Sequence, residues 1–204
     1  MKIRHTIVCG VLAVILALTF TACTKEDDPG EGGPTNWTAV SDSIFPTTNS
    51  GGQYADGINA IAYGSNRFVA VDTFGNRGYS TNGESWTAAD DRFQSWIFSI
   101  AYGNNRFVAA GDGIMEYSDD GASWTAVTNS TFGTFTRIIA IAYGNNRFVA
   151  AGDSGKMAYS DDNGVTWTAV SNSTFGTSDI RAIAYGNKRF VATSTNGKMA
   201  YCDW

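Results

Sequence analysis

Beyond residue 57 the chain reads as short apolar runs cut by glycine, asparagine and aspartate, and no run is long enough to sustain an isolated helix. Ile61-Ala62-Tyr63-Gly64 returns as Ile100-Ala101-Tyr102-Gly103, Ile141-Ala142-Tyr143-Gly144 and Ile183-Ala184-Tyr185-Gly186, at spacings of 39, 41 and 42 residues. Each copy runs into Arg-Phe-Val-Ala and then a third run such as Met157-Ala158-Tyr159-Ser160, and the first three go on through an acidic or Asn-Gly turn to Trp-Thr-Ala, as at Trp167-Thr168-Ala169. Every unit is therefore predicted to be four short strands. Gly103-Asn104-Asn105-Arg106 and Gly144-Asn145-Asn146-Arg147 place residues that tolerate positive φ between the first two runs, which predicts tight antiparallel hairpins. Given the strand period of two, Ala140 and Ala142 fall on one face of the first strand, and Ile139, Ile141 and Tyr143 on the other.

Four-stranded units repeating at about 40 residues describe the blades of a β-propeller. The predicted fold is all-β, with four four-stranded antiparallel blades whose strands run from inner to outer along the chain. Such blades bury their faces only by stacking, with aromatics such as Phe148, Tyr159 and Trp167 between the sheets. The outer-strand tryptophan occurs at Trp37, Trp86, Trp124 and Trp167, so the repeats open on an outer strand and end, at Tyr201, on a third one. Closing the ring requires Trp37-Thr38-Ala39-Val40 to supply the outer strand of the last blade. The alternative is an open fragment of a larger propeller, or chains that join into a larger ring. Cys202-Asp203-Trp204 stand in the slots of Ser160-Asp161-Asp162 and stop inside the turn, and an open fragment would expose strand edges.

Ser160-Asp161-Asp162-Asn163-Gly164-Val165-Thr166-Trp167 resembles the Asp-box, serine-x-aspartate-x-glycine-x-threonine-tryptophan, with Ser160, Asp162, Gly164 and Trp167 as its fixed members. Ser118-Asp119-Asp120-Gly121-Ala122-Ser123-Trp124 and Ser80-Thr81-Asn82-Gly83-Glu84-Ser85-Trp86 are each one residue shorter, which predicts turns that differ in detail. The chain thus resembles the BNR or Asp-box propellers, the repeat found in sialidases, sortilin-type receptors and photosystem assembly factors. That resemblance implies the fold and a structural role for the box, away from the ligand face.

The N-terminus follows another logic. Lys2 and Arg4 precede an uncharged apolar run from Ile7 to Phe20 that ends in Thr21-Ala22-Cys23, the plan of a secretory signal over residues 1–22, and the run is too short to span a bilayer. The small residues before Cys23 resemble a bacterial lipobox, with Phe20 where leucine is usual, which implies cleavage there and lipidation of Cys23. Residues 23–36 then read as a polar tether, and residues 37–204 as the propeller. Lys25 followed by Glu26, Asp27 and Asp28 resembles the surface-export signal of Bacteroidetes lipoproteins, so the expected location is the cell envelope, lipid-anchored at the outer membrane. Loss of Lys2 and Arg4 from the 14 basic residues leaves 12 against 19 acidic ones, a net charge of −7 that argues against nucleic acid as partner. The single histidine, His5, and Cys9 leave with the signal, so neither histidine catalysis nor a disulfide framework is expected.

Candidate chemistry sits where the repeats disagree. The loops that join each outer strand to the next blade carry Gln53, Tyr54 and Asp56, then Asp91, Arg92, Phe93 and Trp96, then Phe135 and Arg137, then Asp179 and Arg181. Trp96 has no counterpart in the other units and is the first choice for stacking on a sugar or an apolar group, with Tyr54, Arg137 and Arg181 beside it. Asp72, Asp112 and Asp153 lie at matching positions and read either as a ring around the axis or as caps of their own loops, the second being ordinary for turn aspartates. Arg67, Arg106, Arg147 and Arg189 recur next to every hairpin, which predicts a structural job such as stacking between blades. A sialidase needs an arginine triad, and Arg92, Arg137 and Arg181, from three joining loops, offer one if they converge on one rim. Thr136-Arg137-Ile138-Ile139 does not match that family's Phe-Arg-Ile-Pro, and Glu26, Glu31, Glu84 and Glu116 lie outside the joining loops. No phosphate loop, zinc spacing or cofactor motif is present. The sequence therefore predicts a non-catalytic binding or scaffold domain for a protein or glycan; the alternatives are an Asp-box glycoside hydrolase and a fragment that self-associates.

Overall fold

The structure, a computed structural model, describes residues 8–13, 19–24, 37–40, 44–45, 57–90, 93 and 95–204. Residues 25–36, Tyr54 and Arg92 lie outside the described residues, as do residues 1–7 and 14–18. Near the N-terminus, β1 (Val8–Ala13) and β2 (Thr19–Thr24) pair antiparallel in a sheet of their own.

The repeats form four antiparallel sheets. The first blade is β3 (Ile58–Gly64), β4 (Arg67–Asp72), β5 (Arg77–Ser80) and β6 (Thr87–Ala88). The second is β7 (Ile97–Gly103), β8 (Arg106–Gly111), β9 (Met115–Ser118) and β10 (Thr125–Ala126), and the third is β11 (Ile138–Gly144), β12 (Arg147–Gly152), β13 (Met157–Ser160) and β14 (Thr168–Ala169). The fourth holds β15 (Ile180–Gly186), β16 (Arg189–Ser194) and β17 (Met199–Asp203). Strand order follows chain order in every sheet, so each blade is a meander from inner to outer strand. The inner hairpins turn through two residues of positive φ, such as Asn104 (47°) and Asn105 (60°), the left-handed pair whose twist matches that of the strands.

Three apolar layers hold the blades together. Ala62, Val69 and Val71 of the first blade meet Ile97, Ile100 and Phe107 of the second. Ala101, Val108 and Ala110 meet Ile138, Ile141 and Phe148, and Ala142, Val149 and Ala151 meet Ile180, Ile183 and Phe190. Each inner strand thus turns small residues to the following blade and branched ones to the preceding blade. The alternation is not the simple one expected. Ile138, not Ile139, shares the face of Ile141, because the register slips between Ile138 and Ala140 and leaves Ile139 without a partner in the ladder.

Two expectations about closure need correction. The last sheet has three strands rather than four, and Trp37–Val40, expected to be its outer strand, is assigned to no strand, with Trp37 fully exposed. The reason lies in the packing of the blade ends. Gly64, Gly103 and Gly144 are each covered by the tyrosine ring of the following blade, so closely that a Cβ on Gly103 would lie 2.0 Å from Tyr143. Gly186, the fourth of the set, has nothing within 4 Å. At the other end Ile61 is 56% exposed, whereas its counterparts Ile100, Ile141 and Ile183 are buried. The first and fourth blades therefore do not pack on each other, and the shared outer strand has no blade beside it to complete.

Candidate functional site

The two rims of the blade stack differ in how far the repeats agree. At one rim the inner hairpins meet the Asp-box turns. In the third blade Ser160 Oγ donates to Asp162 Oδ1 at 2.8 Å, Gly164 N donates to Ser160 Oγ at 2.8 Å, and Trp167 Nε1 donates to the Gly164 carbonyl at 3.1 Å. Thr166 N closes the turn on Asp162 Oδ1 at 2.8 Å. The shorter boxes reach the same pattern: Gly121 N donates to Ser118 Oγ, Ser123 N to Asp120 Oδ1, and Trp124 Nε1 to the Gly121 carbonyl. They save a residue because only the glycine, Gly121 or Gly83, takes positive φ, where the long box uses both Asn163 and Gly164. Burial pushes the Asp162 carboxyl up, but the donors from Thr166 and Ser160 outweigh it and leave its pKa below the ordinary value.

The recurrent arginines belong to the same rim. Arg106 lies 4.4 Å from the centre of the Tyr117 ring and pairs with Asp119, and Arg147 and Arg189 repeat this with Tyr159 and Asp161, and with Tyr201 and Asp203. Arg67 and Arg106 also donate to backbone carbonyls in the following blade's box, at Asp120 and Asn163. Each arginine stacks within its own blade, Arg147 stacks also on Trp204 of the fourth blade at 4.2 Å, and the hydrogen bonds of Arg67 and Arg106 cross between blades, so these charges are spent inside the scaffold.

The described residues of the loops that join the blades lie at the opposite rim, and here each repeat differs. Asp72 is buried and caps its own loop by accepting from Asn76 N at 2.8 Å. Asp153 instead accepts both Nε and Nη2 of Arg137, at 2.8 and 3.0 Å. Asp112 donates its backbone N–H to the Trp96 carbonyl at 3.0 Å. Asp153 makes the same backbone bond to the Arg137 carbonyl, so Asp112 and Asp153 share a backbone role while the Asp72 and Asp153 carboxylates hold different partners, and among the described residues no group of three metal-ligating side chains forms. Arg181 pairs with Asp179 at 3.2 Å, and Arg137 reaches the same carboxylate at 3.9 Å, so Arg137, Asp153, Asp179 and Arg181 form one charged network. Donation to the Asp153 carboxylate and the charge of that carboxylate hold the Arg137 guanidinium above its ordinary pKa.

Inside this rim the inner strands enclose a pocket of about 290 Å³ at the axis. Asn59, Phe98, Ile139 and Arg181 line it from the four blades in turn. Each is the unpaired residue of a β-bulge, at the same place in its strand: the ladders run Ile58 to Ala60, Ile97 to Ser99, Ile138 to Ala140 and Ile180 to Ala182. A bulge re-aims the extra side chain. Here the four bulges give the axis an amide, a phenyl ring, an alkyl group and a guanidinium. Trp96, 54% exposed, stands edge-on to Phe98 at 6.3 Å and extends the aromatic surface outwards. Of the residues singled out in the sequence, the structure brings Arg181 into the pocket and sets Trp96, Arg137 and Asp153 around it; Asn59, Phe98 and Ile139 were missed. Their signal is a position that changes in every unit between flanking isoleucines that do not. The hollow at the other end of the axis is lined by Tyr63, Tyr102, Tyr143 and the hairpin asparagines, which repeat between units, as a structural feature does.

The fold is shared widely among solved structures. The computationally designed Ika4 protein superposes with a TM-score of 0.58 at 17% identity, over 78% of this chain and 98% of that one. YCF48 from Cyanidioschyzon merolae gives 0.58 at 18% identity, over 75% of this chain and 53% of that one. The GH74 enzyme of Niastella koreensis gives 0.52 at 26% identity, over 72% of this chain and 23% of that one. This chain therefore spans about half of YCF48 and under a quarter of the enzyme. No curated protein sequence matches it. Residues 35–193 match the DUF6242 β-propeller domain, three quarters of the chain including all four inner hairpins, and the protein belongs to that family.

Proposed function

We propose that this domain is a non-catalytic binding propeller of the bacterial cell envelope, held there by a lipid on Cys23, which takes a protein or glycan segment at the axial pocket. The observation that carries the reading is the set of four bulge residues. A scaffold that repeats nearly everything else varies Asn59, Phe98, Ile139 and Arg181, and all four line one concavity. The chemistry suits an elongated ligand with an apolar face and a carboxylate or hydroxyl edge: Phe98 and Trp96 offer ring faces, while Asn59 and Arg181 offer donors. Support by analogy comes from YCF48, a propeller of the same fold with a structure solved bound to D1 peptide. Asp153 and Asp179, on this rim, are engaged by Arg137 and Arg181, which favours binding over the paired free carboxylates that glycoside hydrolysis employs.

Peptide and glycan arrays probed with the full chain test the proposal. Binding is expected, and Phe98→Ala and Arg181→Ala should each weaken it by about tenfold or more, the effect of losing an anchor at the centre of a contact. Arrays without a hit, or a ligand indifferent to both changes, would sink the reading. The anchor is tested separately by mass spectrometry of membrane-extracted protein, where a diacyl or triacyl mass at Cys23 should vanish in Cys23→Ala.

A further inference from the structure

Trp167 is enclosed between the second and third blades by a cluster that extends from Met115 to Ala158 and takes in Val127, Phe132, Phe148 and Ala150. One repeat later, Met157, Val170, Phe175, Phe190, Ala192 and Ala200 occupy the same places between the third and fourth blades, and there they line a cavity of about 190 Å³. A tryptophan one repeat after Trp167, on an outer strand of the fourth blade, would fall in this cavity. No strand lies outside β17 among the described residues. Trp204 forms part of the wall, packed edge-on against Tyr159 and Phe190, and leaves the cavity open.

A segment of matching sequence exists in the chain. Trp37-Thr38-Ala39-Val40 repeats Trp167-Thr168-Ala169-Val170 residue for residue, and Trp37 is fully exposed. Phe45 follows Trp37 by eight residues, as Phe132 follows Trp124 and Phe175 follows Trp167. It is already in its place on the first blade, buried and edge-on to Trp86 at 6.4 Å. The five residues from Val40 to Phe45 span at most about 18 Å, so Val40 stays near the outer flank of the first blade. A strand at that flank belongs to a blade packed against the first one. Within the chain none is, as exposed Ile61 and uncovered Gly186 show.

We infer that copies of this protein associate head to tail, the first blade of one against the fourth blade of another, with Trp37–Val40 of the first laid along β17 of the second and Trp37 in its socket. The exposed edge of β17 then gains its ladder partner. Tyr63 of one copy covers Gly186 of the other as Tyr102 covers Gly64, and Ile61 is buried as Ile100 is. Because the two surfaces are different, each copy offers both, and association continues until the ring closes.

Sedimentation of the full chain in detergent tests this. The unaltered protein should run as two or more copies, while Trp37→Ala, which empties the socket, and Gly186→Leu, which obstructs the ring of Tyr63, should each run as a single copy with an unchanged circular dichroism spectrum. Cross-linking identifies whose strand is docked. Continuing the register of Tyr159 with Thr168 sets Thr38 opposite Tyr201, within disulfide reach for paired strands. Thr38→Cys and Tyr201→Cys are placed in separate, differently tagged chains in which Cys9, Cys23 and Cys202 are serine. A disulfide joining the two tags is expected. A single copy for the unaltered chain, association retained by both blocking variants, or a disulfide that closes only when both cysteines share one chain would each overturn the inference.

Discussion

Asp162 shows how a single side chain can hold a turn without touching a ligand. Its carboxylate accepts from Ser160 Oγ and from the backbone and hydroxyl of Thr166, which leaves its pKa below the ordinary 3.8. A depressed carboxyl stabilises the fold at pH above its unfolded value, and that contribution is lost as the pH falls through the folded value. Asp162→Asn should therefore lower the melting temperature at neutral pH, and the gap to the unaltered protein should narrow on acidification. The expected cost is about 1.5–3 kcal/mol, the range for hydrogen bonds to a charged group. The same residue scale explains what sequence reading found at this rim. Serine, aspartate, glycine and tryptophan act on their own neighbours in the chain, so the motif is legible without knowledge of the rest of the molecule.

At the scale of the blades, one interface departs from the others. Between the second and third blades Met115 packs in the apolar layer with Ala158. At the equivalent places between the first and second blades stand Arg77 and Glu116, an ion pair with the Arg77 side chain almost wholly buried, and the guanidinium also lies 4.8 Å from the ring centre of Trp124. Removing one partner of a buried pair leaves a charge uncompensated, so Glu116→Ala should cost about 3–5 kcal/mol in denaturant unfolding. The double change Arg77→Met with Glu116→Ala copies the neighbouring interface and should recover most of that loss. The blade layers themselves tolerate little truncation: Phe148→Ala, at a fully buried site, should cost about 3–5 kcal/mol. The bulges that build the axial pocket also belong to this scale. They were not legible, because a bulge is a relation between two strands, and the period of two read along Ile138–Tyr143 put Ile139 on the wrong face.

At the scale of the whole molecule, the four blade sheets of the described residues form an open arc, and the two end blades explain the expected behaviour. A chain with an exposed Trp37 at one end and a vacant tryptophan socket at the other should show concentration-dependent association, and its thermal stability should rise with protein concentration as mass action dictates. Differential scanning over a range of concentrations checks this, and Gly186→Leu should abolish the dependence. By itself the sequence determined the all-β class, the number of repeats, the strand order within each blade and the Asp-box turns. All of these rest on contacts between residues close in the chain, repeated until the pattern is unmistakable. Closure, the position of Trp37 and the membership of the axial pocket were decided only by the tertiary structure. They depend on the angle at which one blade packs on the next and on where four strands, each about 40 residues apart in sequence, bring their bulges together. A repeat reports what every unit shares, whereas a ring closes or stays open at the two places where a unit has a neighbour on one side only.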